Sequence, residues 1–171
     1  MSELANLQQR LAVLEGESQV RRLMARYMDL CDVPRNAPAS PSLEITAELT
    51  ALFSEDAIWE GIGRETAQTF GHHQGRAAVA AFVAAYLPPS PHFSLNLHYL
   101  TSEMIRVEGE GARGQWIMQQ ISTYADGRSE LFGTRLDIDF RCIDGNWLIS
   151  HFRTQRLFQQ PLGAPREVLS A

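Results

Sequence analysis

The second half of the chain restricts its fold more than any other part. Residues 95–107, 112–125, 130–143 and 146–155 are rich in aromatic and β-branched side chains, the composition of strands. Between them stand Glu108-Gly109-Glu110-Gly111, Ala125-Asp126-Gly127-Arg128 and Asp144-Gly145, each a turn signal. A meander of four long antiparallel strands follows from this order. Such a sheet curls, and one of its faces must be buried under something else.

The first half supplies helices. Val20, Leu23, Met24, Tyr27, Leu30 and Cys31 recur at spacings of three and four, an apolar helical stripe. Val33-Pro34 stops that helix. Upstream, Leu4, Leu7, Leu11 and Leu14 form a second stripe, coiled-coil-like but only two heptads long. It packs on the domain or on a neighbouring subunit, and Gly16 is a candidate break after it. A Pro-rich loop covers 33–42, a short helix runs from about Leu43 to Phe53, and Ala57-Ile58-Trp59-Glu60 reads as a strand. The stretch from Gly61 to Gly75 reads as loop. Arg76 to Leu87, with Val79, Phe82, Val83 and Tyr86 on one side, is helical and ends at Pro88-Pro89-Ser90-Pro91. Helices first and a meander second give the α+β class. The 171 residues suit one domain, 1–171.

Composition removes several function classes. A net charge of -5 does not suit an electrostatic nucleic-acid binder. Cys31 and Cys142 lack ligand spacing and read as small buried hydrophobes in a reducing compartment. No apolar run reaches the length of a membrane span, and Met1-Ser2-Glu3-Leu4 lacks the start of a signal peptide. A cytoplasmic protein is the expectation. His72-His73 in a Gly-flanked loop has no accompanying H-E-x-x-H or spaced carboxylates, so no metal site is expected. Dinucleotide and phosphate-loop fingerprints are missing, so no cofactor is expected.

Two polar residues stand out against the helices. Tyr27 lies in the apolar stripe and points at the core. Asp32 falls five residues later, in the last turn, at the negative end of the helix dipole, an unfavourable place for a carboxylate. The plain alternatives are a core tyrosine bonded to a carbonyl or water, and a solvated aspartate opening a loop.

Four local patterns then coincide in order: Leu52-Phe53-Ser54-Glu55-Asp56-Ala57-Ile58-Trp59, Gly75-Arg76, Val107-Glu108-Gly109-Glu110-Gly111-Ala112-Arg113-Gly114, and Ile143-Asp144-Gly145-Asn146-Trp147-Leu148-Ile149. Together they resemble a SnoaL-like domain of the nuclear transport factor 2-like superfamily, over about residues 10–155, with 156–171 as a C-terminal tail. The resemblance implies a cone-shaped α+β barrel, a curved sheet around the N-terminal helices, with a deep apolar pocket. Its members include dehydratases, a dehydrochlorinase, isomerases and polyketide cyclases, but also non-catalytic subunits, so fold does not settle function. It also implies a homo-oligomer, trimer or dimer.

The dehydratase and dehydrochlorinase branches use an aspartate from the end of the first long helix and a histidine from the first meander strand. Those positions resemble Asp32 and His98, with His92 as the second histidine candidate. In the bile-acid dehydratase branch a tyrosine five residues before the aspartate belongs to the site, the place of Tyr27. A final-strand arginine is matched nearest by Arg153, with Arg156 as the other candidate. Strand alternation puts Trp147, Ile149, His151 and Arg153 on one face, so His151 and Arg153 are expected at the pocket. An outward-facing strand arginine and a satisfied core histidine are the alternatives. Trp116, Met118 and Gln120 alternate on another strand and line the pocket or the helix–sheet core. With Trp59 and His151 they make up the expected substrate-binding set. Gln120 is polar on an apolar face and needs a partner, such as a ligand oxygen. The resemblance thus implies a cofactor-independent lyase or isomerase acting on a small hydrophobic polycyclic, steroid-like or aromatic substrate, dehydratase-type elimination foremost. A non-catalytic ligand-binding or assembly subunit is the other reading.

Overall fold

A computed structural model describes residues 2–34, 42–87 and 92–163, with the side chains of residues 42 and 43 left aside. The elements are α1 (Glu3–Cys31), α2 (Ser42–Ala51), β1 (Phe53–Gly61), α3 (Arg64–Phe70), β2 (His72–Gln74), α4 (Arg76–Ala84), β3 (Phe93–Glu108), β4 (Gly111–Tyr124), β5 (Ser129–Ile143) and β6 (Asn146–Leu162).

α1 is one continuous helix through Gly16. A Cβ there would meet Val107 Cγ1 at 3.0 Å, so the glycine is a point of close approach to β3 rather than a break. Upstream of it Leu4, Leu7, Leu11 and Leu14 are 53–65% exposed. Downstream, Val20, Met24, Tyr27, Leu30 and Cys31 are buried at the spacing expected of one helical face. Each such fully buried apolar side chain contributes roughly 1.5–3 kcal/mol.

β3, β4, β5 and β6 form the expected meander, and the sheet order is β2-β1-β6-β5-β4-β3. It is mixed rather than wholly antiparallel, because β1 lies parallel to β6. Curved and unclosed, it wraps α1, α2 and α4 in the cone-shaped α+β arrangement expected. The core runs along its concave face, with Met24, Leu49, Phe53, Val79, Leu136, Ile138, Phe140 and Ile149 all at 1% exposure or less.

The stretch read as loop holds α3 and the short β2, each flanked by glycines of positive φ, Gly63, Gly71 and Gly75. β6 runs on to Leu162, so the first part of the expected tail is strand. Residues 35–41 of the Pro-rich loop, Pro88-Pro89-Ser90-Pro91 and residues 164–171 lie outside the described residues.

Two β-bulges in β6 decide which side chains face inward. Phe140 pairs with Ile149 while Asp139 pairs with His151, which leaves Ser150 as an extra residue. A one-residue insertion exchanges the faces of everything after it. Ile149, Phe152 and Thr154 are therefore the buried positions, and His151 and Arg153 fall on the outer face. Thr134 pairs with Arg156 and Gly133 with Phe158, so Leu157 is the second extra residue. No described helix is long and apolar enough to cross a membrane.

Candidate active site

The end of α1 is tied to β3 by a pair of backbone hydrogen bonds. Val33 N donates to Asn96 O, and Asn96 N donates to Val33 O, both at 2.8 Å. This bridge carries Asp32 to His98, two residues along β3. Asp32 is the C-cap of α1, in extended conformation. Its Oδ1 accepts from the His98 backbone N–H at 3.0 Å and lies 2.8 Å from His98 Nδ1. A carboxylate beside Nδ1 places the ring proton there and leaves Nε2 with its lone pair. Nε2 has no protein partner among the described residues. The two hydrogen bonds also offset the unfavourable end of the helix dipole.

His98 lines a cavity of about 410 Å³ at the open end of the cone. The wall is largely aromatic. Trp59 stacks on Phe152 with ring centroids 5.4 Å apart and packs edge-on against Phe70. Tyr27 tilts against Phe152 at 5.1 Å. Its hydroxyl accepts from Trp59 Nε1 at 3.1 Å. Burial holds the Tyr27 hydroxyl well above the usual tyrosine range, so it stays protonated and able to donate. Burial likewise pushes the neighbouring Cys31 thiol up to about 12, which keeps it neutral.

Tyr27, Trp59, Met118 and Gln120 line the cavity beside His98, and Asp32 stands behind the imidazole. Three expected residues do not. Trp116 is in the core, edge-on to Phe140, with its Nε1 donating to Glu103 at 3.2 Å. His151 and Arg153 are turned out by the Ser150 bulge. His151 Nε2 meets Glu60 Oε1 at 2.7 Å, and Arg153 meets Asp139 at 2.8 Å. Strand alternation counted through the bulge assigned them to the wrong face.

Arg156, the other final-strand arginine, does line the cavity. Its guanidinium lies over Phe132 at 4.6 Å and Phe70 at 5.7 Å. Its Nη1 donates to Gln159 Oε1 at 3.3 Å, and no carboxylate among the described residues pairs with it. His92 and Tyr124 stand at the same cavity, Tyr124 donating to Glu130 at 2.8 Å. Asn96 and Phe152 are lining residues that sequence reasoning did not name. Asn96 had a signal, being two residues before His98 on the same strand face. For Phe152 the bulge erased the signal.

His73 of the histidine pair stacks on Phe82 at 3.8 Å, and its Nε2 lies 2.8 Å from Phe70 O. Among the described residues no group of three or more His, Cys, Asp or Glu is arranged to hold a metal.

The profile of the family described as a SnoaL-like domain matches residues 12–153. Among solved structures, a hexachlorocyclohexane dehydrochlorinase (LinA type 2) is similar at 18% identity and a TM-score of 0.69, covering 98% of this chain and 100% of its own. A Novosphingobium aromaticivorans protein with a provisional scytalone dehydratase assignment is 17% identical at a TM-score of 0.68, covering 92% and 96%. An NTF2-like protein with a cystatin-like fold, from the same organism, is 23% identical at a TM-score of 0.62, covering 92% of each chain. At these identities the likeness is one of fold. No curated protein matches the chain at a significant level.

Proposed function

The chain belongs to the SnoaL-like domain family, and from that premise we propose that it is a cofactor-independent lyase or isomerase acting on a small, hydrophobic, ring-containing compound. One observation carries this reading. His98 presents Nε2 to an aromatic-walled cavity while Asp32 holds Nδ1 from behind at 2.8 Å. That is the arrangement of a general base with an orienting carboxylate.

In the favoured version Nε2 takes a proton from a carbon beside a carbonyl. The C–H electrons form an enolate, and Tyr27 donates to its oxygen or Arg156 neutralises it. The enolate electrons then form a C=C bond as a hydroxyl on the β-carbon leaves. The departing hydroxide takes the proton from the imidazolium and becomes water. Asp32 stabilises the imidazolium between the two steps. General-base help of this kind is worth ~10²–10⁴-fold. In an isomerisation the same proton returns to a different carbon. The dehydrochlorinase and dehydratase names among the structural neighbours both describe eliminations, which supports the first version. Arg156 takes the electrophilic role that the family resemblance implied for a final-strand arginine, Arg153 having been the nearer match and Arg156 the other candidate.

The test uses 2-tetralone, a ring ketone of suitable size, in D₂O. Deuterium entry at its α-carbon, followed by NMR, should be faster with the protein than without it. It should fall to background in His98→Ala. Equal exchange with wild type and His98→Ala would sink the base assignment.

A second reading is a non-catalytic binding or assembly subunit. It is favoured by the exposed Leu4, Leu7, Leu11 and Leu14 stripe, a surface suited to association. Ligand binding without any α-proton exchange over a panel of ring ketones would support it. In either reading a homo-oligomer is expected, and sedimentation of wild type against Leu7→Glu/Leu11→Glu tests the stripe's part in it.

A further inference from the structure

The polar floor of the cavity has a single direction of hydrogen bonding. Asn96 is 3% exposed, and its Nδ2 donates to the Cys31 carbonyl at 3.2 Å. A backbone carbonyl only accepts, so this bond sets the orientation of the Asn96 amide. Its Oδ1 then faces β4, where Ser122 Oγ donates to it at 2.7 Å and Gln120 Nε2 at 2.8 Å. Ser122 spends its only proton in that bond. Its Oγ can therefore only accept from Gln120 Nε2, 3.0 Å away. Ser122 is fully buried, so the arrangement has no room to reverse. Both N–H groups of Gln120 are taken, and its Oε1 remains. No described residue donates to that oxygen.

Gln120 is the direct cross-strand partner of His98, and both side chains line the cavity. Side chains so paired lie within about 5 Å of each other at Cβ. An acceptor that cannot become a donor therefore stands beside the imidazole. We propose that Gln120 is a specificity-determining residue whose Oε1 accepts a hydrogen bond from a ring hydroxyl of the substrate, next to the carbon that His98 reaches. The substrate class is then a hydroxylated ring compound rather than a purely apolar one or one bearing only acceptors. This rests on the reading of the cavity as a site for ring compounds. A ligand without the donor would leave Oε1 desolvated and unpaired, the condition under which sites discriminate most.

The experiment is calorimetric titration with 2-naphthol and 2-methoxynaphthalene, which differ in whether the oxygen carries a proton. Wild type is expected to bind the naphthol about 3- to 10-fold more tightly, the worth of one neutral hydrogen bond. Gln120→Met keeps the side-chain length and removes the acceptor. It should lose the preference, with the methyl ether binding more tightly than to wild type because no unpaired oxygen is left to desolvate. A preference that survives in Gln120→Met belongs to His98 and overturns the proposal. Binding of both ligands by wild type without preference also overturns it and leaves the ring-compound reading standing. Failure of wild type to bind either ligand overturns both. Where Gln120→Met does not fold, His98→Ala decides, because it removes the other acceptor beside the ligand and leaves the Gln120 amide held by Asn96. A preference that persists without the imidazole supports the proposal, and one that disappears overturns it.

Discussion

Replacing Asp32 tests whether the α1 terminus is held by the same group that orients the base. Asp32 Oδ1 accepts two N–H groups of His98, at 3.0 and 2.8 Å. Hydrogen bonds to a charged group contribute roughly 1.5–3 kcal/mol each, so the pair is worth roughly 3–6 kcal/mol. The carboxylate sits at the negative end of α1, which takes back about 0.3–1 kcal/mol. Its side chain is 20% exposed, and water will satisfy part of what alanine leaves open. We expect Asp32→Ala to destabilise by about 2–4 kcal/mol, and Asp32→Asn, which keeps a neutral acceptor in place, by about 1–2 kcal/mol. The assay is urea unfolding, with a lower midpoint and an unchanged slope. In a chain of this size the alanine variant should melt about 4–16 °C lower. An alanine variant within about 0.5 kcal/mol of wild type would refute the reasoning, since changes of that size are ordinary for surface positions. A more stable alanine variant would show that dipole repulsion outweighs both bonds.

Tyr27→Phe leaves the Trp59 indole N–H without its partner, and we expect a loss of about 1 kcal/mol with a shift in tryptophan emission. In an ultraviolet titration wild-type Tyr27 should not ionise in the ordinary tyrosine range, because burial favours its neutral form. Gly61→Ala should destabilise by about 2–3 kcal/mol in the same urea assay, since a Cβ there would meet the Thr66 carbonyl oxygen at 2.3 Å. Asp137 is held below the usual carboxylate range by Arg113, with Gln115 and Arg153 assisting. Its folded pKa is the lower one, so its stabilisation is present above about pH 4 and lost as pH falls through the folded value. Asp137→Asn should therefore flatten the acid limb of a stability-against-pH curve and leave the neutral region's slope unchanged.

The helical stripe ending at Tyr27 and Asp32, the His98 strand and the four-strand meander were legible because each rests on local periodicity. The three-versus-four spacing in α1 predicts the inward face of Tyr27, whereas the inward face of His98 was implied by the family resemblance, since alternation in β3 gathers Phe93, Leu95, Leu97 and Tyr99 on the other face. The final strand was not legible beyond Ile149, because no residue type announces the Ser150 bulge, and one extra residue moves Arg153 outward and Arg156 inward. Trp116 was assigned to the substrate-binding set on alternation alone, and alternation does not distinguish cavity from core on the same concave face. α3 was missed although its boundaries carry a signal. Arg64 to Phe70 lies between Gly63 and Gly71, and glycine is common at helix ends. The parallel pairing of β1 with β6 is a contact between distant segments, which no local pattern encodes.

That pairing has a consequence for how the chain assembles during synthesis. β6 sits between β1 and β5, so the last of the described strands to be made is an interior strand of the sheet. Until it emerges, β1 has only the three-residue β2 beside it and exposes an open edge to other chains. The helices and β1 can gather locally, but the two halves of the sheet join only when β6 slots between them. Its side chains Phe152 and Thr154 complete the cavity wall at the same moment. A nascent chain lacking those residues would carry His98 and Asp32 yet hold no cavity, and its unpaired strands would be the surface a chaperone meets.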